Sequence, residues 1–79
     1  METKMYRADF DVTKNDKVIS MRDNYYWSET DDDVIKQAQE TAKRGVDFVD
    51  IGHCEMELVQ IVEVDENTEF FDEIRIVYH

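Results

Sequence analysis

The sequence predicts an α+β fold: one antiparallel sheet of about four strands, in the order ββαββ, with one amphipathic helix packed on one face. Three observations predict it. Residues 5–12 alternate apolar and polar, residues 31–44 carry an apolar stripe at helical spacing between capping signals, and two further extended segments follow the helix. A chain of 79 residues fits a single domain, 1–79, near the lower end of what folds without staples.

The first strand places Tyr6, Ala8, Phe10 and Val12 on one side and Arg7, Asp9 and Asp11 on the other. Residues 13–17 are polar, and Asn15 and Asp16 tolerate the positive φ of a hairpin turn. A second strand begins at Val18, with Ile19 and Met21 on one face. Continuing that face would bury Asp23, so a bulge or bend is expected near Arg22-Asp23-Asn24 before the aromatic run Tyr25-Tyr26-Trp27.

Ser28 or Thr30 caps the helix, and Asp31, Asp32 and Asp33 fill its first turn, where the dipole favours negative charge. Lys43 and Arg44 occupy the last turn, and Gly45 follows in the place of a left-handed terminator. Val34, Ile35, Ala38, Thr41 and Ala42 form the buried stripe. Residues 46–52 return the chain to the sheet. A long strand is expected from about Glu55 to Asp65, with Met56, Leu58, Val62 and Val64 on one face and Glu55, Glu57, Glu63 and Asp65 on the other. A turn at Asp65–Thr68 leads to a last strand with Ile74, Ile76 and Tyr78 aligned. One helix leaves a sheet face open, where Val59, Ile61 and Val77 are expected to form a self-association strip.

Function classes narrow from composition. Cys54 is the one cysteine, which rules out an intrachain disulfide and fits a reducing compartment. No apolar run approaches the roughly 18–20 residues of a membrane span, and Met1-Glu2-Thr3-Lys4 lacks the order of a secretory signal. The reading is a cytoplasmic protein without membrane contact. Net charge is −11, concentrated in residues 45–79, which carry ten acids against one base, Arg75. Such a field repels nucleic acid and attracts basic proteins.

No constellation reads as an active site. His53 and Cys54 are adjacent on an extended segment and point to opposite faces, and no nucleophile motif surrounds Cys54. His53 and Glu55 form an i,i+2 pair on one strand face that His79 could join, but carboxylates beside histidines are expected by chance in so acidic a chain, and the three consecutive aspartates diverge on a helix. Residues 65–69 lack the glycine of a calcium loop, and no phosphate-binding glycine loop exists. The reading is a non-enzymatic chain with no cofactor and no metal.

The acids themselves are the remaining signal. Same-face strand residues lie about 6.6–6.8 Å apart, on the scale of successive nucleic-acid phosphates. Glu55, Glu57, Glu63 and Asp65 on the strand, with Glu66, Glu69, Asp72 and Glu73 at the hairpin tip, are the candidate partner-binding residues.

The Asn-tipped hairpins at Asn15 and Asn67, the capped helix from Thr30 to Gly45 and the acid-rich stretch from Glu55 to Glu73 together carry a resemblance. The layout resembles small phage and mobile-element proteins built from two hairpins around one helix, anti-CRISPR and other anti-defence inhibitors among them. That resemblance implies a binder that blocks a nucleic-acid-handling complex by occupying its basic surface. The expected function is therefore a non-enzymatic acidic inhibitor acting as a nucleic-acid mimic, without direct nucleic-acid binding. The alternative is a structural or regulatory interaction module, including a homodimer, whose acidity is incidental.

Overall fold

The computed structural model describes residues 2–79. The elements are β1 (Lys4–Lys14), β2 (Lys17–Ser28), α1 (Asp31–Arg44), β3 (Val46–Phe48), β4 (Gly52–Val64) and β5 (Glu73–Tyr78). All pairings are antiparallel, in the order β2-β1-β4, and the far side of β4 is shared by β3 and β5. The α+β class, the single sheet and the one helix are as the sequence predicts. The additional strand is β3, which residues 46–52 form by turning back on the start of β4.

The β1–β2 hairpin closes through Asn15 and Asp16, both in the left-handed region at φ 53° and 63°, as a two-residue turn of matching twist requires. The helix runs from Asp31 to Arg44. Thr30 is its N-cap and accepts a hydrogen bond from the Asp33 amide, and Gly45 ends it at φ 68°. Val34 and Ala38 are fully buried against Tyr6, Ala8, Phe10, Val12, Cys54, Met56 and Ile61, and Ile35 and Ala42 pack at the margin. The small Ala38 lets the helix lie close to the sheet.

Bulges change which residues share a face. Asp9 stands opposite Gln60 but Phe10 opposite Leu58, so Val59 is an extra residue in β4. Beyond it the alternation reverses. Met56, Leu58, Ile61 and Glu63 face the helix, while Glu55, Glu57, Gln60, Val62 and Val64 face away. The expectation that Met56, Leu58, Val62 and Val64 share a face, with Glu55, Glu57, Glu63 and Asp65 on the other, is therefore corrected. So is the expected self-association strip: Ile61 is fully buried, and Val77 packs against the helix-side core.

The bend expected at residues 22–24 is also displaced. Arg22, Asp23 and Asn24 pair in register with Phe10, Asp9 and Ala8, and the irregularity falls between Val18 and Ser20. Asp23 lies on the face away from the helix, where it meets Asp9 rather than apolar core. Two register shifts in the β4–β5 pairing place Ile76 opposite Val62 and Tyr78 opposite Ile61, so these residues are not aligned.

The face away from the helix is partly covered by the chain's own loop. Residues 65–72 fold so that Phe71, at φ 51°, packs on Met5, Val62 and Val64, with its ring 5.7 Å from that of Tyr25. Among the described residues no helix is long and apolar enough to cross a membrane.

Candidate protein-interaction surfaces

Two carboxylate–arginine networks decide which acids remain available. On the open face, Arg7 grips Asp9 with Nε at 2.8 Å and Nη2 at 3.0 Å, and Nη2 also reaches Glu73 at 2.7 Å. Gln60 donates to the same Asp9 carboxylate at 2.7 Å. Burial raises the proton affinity of Asp9, but the Arg7 and Gln60 hydrogen bonds outweigh it and hold the carboxyl below its ordinary value. Asp23 is pushed the other way, first by sharing a hydrogen bond with Asp9 and then by burial and the neighbouring charge. The two acids are therefore driven apart, Asp9 becoming the stronger acid of the pair and Asp23 the weaker.

On the helix side, Arg75 clamps Asp31 through Nη1 at 2.9 Å and Nη2 at 2.7 Å, and its Nε reaches Glu63 at 2.8 Å. Tyr6 donates its hydroxyl to Asp31 at 2.8 Å. Burial, then the bond to Asp31, raises the Tyr6 phenol to about 12, while Arg75 holds Asp31 below the usual carboxylate range. Both networks link residues far apart in sequence and leave no buried side-chain polar atom unpartnered among the described residues.

The eight candidate acids consequently divide. Glu63 and Glu73 are ion-paired, and Asp65 is engaged in its loop, where its carboxylate accepts from the Asn67 amide at 2.9 Å. Glu55, Glu57, Glu66, Glu69 and Asp72 are exposed and have no cationic partner among the described residues. They do not form one ridge. Glu55 and Glu57 lie on the open face near the β1–β2 turn, with Asp11 opposite Glu57, whereas Glu66, Glu69 and Asp72 occupy the loop at the other end of β4. Asp11 is an acid of this surface that strand alternation shows but charge counting over residues 45–79 misses.

His53 contacts Asp47 at 2.7 Å on the surface, while Cys54 is buried in the helix-side core. The two side chains are thus separated by the sheet. No cluster of three or more His, Cys, Asp or Glu side chains arranged to hold a metal ion occurs among the described residues.

A second surface lies along β2, which has no neighbour on its outer side among the described residues. Val18, Met21, Tyr25 and Trp27 stand on the open face of this strand by their register with β1, and Met21 and Trp27 are 71% and 54% exposed. Trp27 also borders a shallow depression of about 360 Å³ at the start of the helix, lined by Thr3, Ser28, Glu29, Thr30 and Asp33.

Comparison of the chain with protein-family models, with curated proteins and with solved structures yields no match.

Proposed function

We propose that the chain is a non-enzymatic inhibitor that binds the basic surface of a nucleic-acid-binding protein, in the manner of the anti-CRISPR-type proteins it resembles. One observation carries the reading: five exposed acids, Glu55, Glu57, Glu66, Glu69 and Asp72, have no cation of their own among the described residues. The one base of the C-terminal half, Arg75, is already committed to Asp31 and Glu63. The charge those five carry is thus left for a partner, and its attraction operates at long range before contact. Two acidic patches at opposite ends of β4 suit a partner with two basic patches better than a continuous phosphate-like row.

The test is binding to the basic protein recovered with the chain from its source cell, followed across a salt titration. Affinity falls as salt rises, and a polyanion such as heparin competes. Replacing all five acids with the corresponding amides abolishes binding while leaving the fold intact. Binding that ignores both salt and the amide replacements would sink this reading. It would favour the second one, an interaction module using the apolar β2 surface, which the exposure of Met21, Tyr25 and Trp27 supports.

A further inference from the structure

The outer edge of β2 is the longest unpaired strand edge in the sheet. Its twelve residues span about 40 Å at the ordinary strand rise, which matches the 40 Å long dimension of the molecule. Every second residue along such an edge turns its N–H and C=O toward solvent. Natural proteins usually blunt edges of this kind with charge, proline or cover. Here the open face of the edge carries one charge, Asp23, among Val18, Met21, Tyr25 and Trp27.

Charge selects the occupant. The chain carries −11 overall, yet β2 has Lys17 and Arg22 against Asp23 alone, so this strand is slightly positive. It is also the sheet edge farthest from β3 and β5, with β1 and β4 between them. The acids of β4 therefore lie across β1 from this edge, and the 65–72 loop meets β2 through the Phe71–Tyr25 ring contact. A basic partner gains nothing at β2. A second copy of this chain offers a free, apolar strand of equal length, and β2 is where two chains of −11 meet with least repulsion.

We infer that β2 is a homodimer interface, at which the β2 strands of two copies pair antiparallel about a two-fold axis and join two sheets into one. The pairing satisfies both free edges at once and sets the two apolar strips side by side on the same face. It also leaves the acids of β4 and β5 beyond β1 in each copy, away from the shared edge. The inference is independent of the proposed inhibitor function, because it uses neither the acids of β4 nor those of the 65–72 loop.

Sedimentation equilibrium of the full chain over a range of concentrations tests it, combined with amide hydrogen exchange. A monomer–dimer equilibrium is expected, tightening as salt is raised because salt screens two negative chains from each other. Outward-facing β2 amides should slow their exchange at high concentration and lose that protection on dilution. Met21→Lys or Trp27→Lys should weaken dimerisation by about tenfold or more, because each sets a charge within the joined apolar strip. A mass that stays monomeric at every concentration and salt overturns the inference. So does a dimer whose β2 amides exchange alike at high and low concentration, a readout on the native chain that does not depend on any variant folding.

Discussion

At the scale of single residues, proton affinities carry the predictions. Tyr6 is fully buried, and its phenol is raised from 10.0 to about 12, so the folded state keeps a proton that the unfolded chain gives up. The stability linked to Tyr6 is therefore complete below about pH 10 and is lost as pH rises toward 12, amounting to roughly 2–3 kcal/mol. Tyr6→Phe should flatten that alkaline decline in a pH series of melting temperatures. At the acid end the sign reverses. Asp9 and Asp31 sit below their ordinary value of 3.8, so the stability they supply is present above it and falls away as pH drops through their depressed values. Asp23 opposes them, because its raised proton affinity makes its ionised form a cost at neutral pH. Asp23→Asn should then raise the melting temperature at pH 7 by an amount equivalent to about 0.2–1 kcal/mol, kept small because the side chain is exposed. That gain should vanish in acid, where native Asp23 is already protonated. A gain of equal size at both pH values would show that charge is not the cause. None of these networks is legible in the sequence, since Arg7–Glu73, Tyr6–Asp31 and Arg75–Asp31 join residues that only the sheet topology brings together.

Among the elements, the helix is legible because its signals are local. Thr30, the three following aspartates, the stripe around Ala38 and the terminating Gly45 all act within a few residues of where they stand. Gly45 is held by more than its positive φ. A Cβ there would lie 2.5 Å from the Cys54 carbonyl oxygen, where β3 and β4 pass beneath the helix end. Gly45→Ala should therefore cost well over the roughly 1 kcal/mol of an ordinary strained replacement, while Thr30→Ala should cost about 1 kcal/mol through the lost cap. Chemical denaturation of the two variants checks the order. Strand faces are legible only up to the first bulge. Alternation over residues 5–12 holds through β1, where every pair is regular up to Val12. In β4 the one extra residue, Val59, inverts everything after it and moves Ile61 into the core and Val62 to the open face. This bulge falls on Val59, a β-branched residue that suits a regular strand equally well, so it leaves no local signature. The candidate acids follow the inversion: Glu55 and Glu57 keep the face alternation assigns them relative to each other, but Glu63 does not join them.

For the whole molecule, the candidate acids and the exposed apolar strip fall on different elements, and this separation makes two kinds of association distinguishable. The five candidate acids belong to β4 and the 65–72 loop, whereas the exposed apolar strip belongs to β2, which β1 separates from β4 and which the loop meets at Tyr25. Salt acts on the two with opposite sign. It screens the attraction between the acids and a basic partner, so that complex weakens as salt rises. It equally screens the repulsion between two copies of −11 net charge, so self-association through β2 strengthens. Both trends can be followed on one sample by sedimentation with labelled chain, with and without the basic partner. Amide replacement at Glu55, Glu57, Glu66, Glu69 and Asp72 removes five negative charges without altering any residue of β2. It should abolish the partner complex and, at low salt, tighten the dimer. Met21→Lys should do the reverse, releasing monomer while leaving partner affinity per chain unchanged. If instead both variants weakened both associations, the two surfaces would be one binding site, and the separation of the candidate acids from the apolar strip would have no functional meaning.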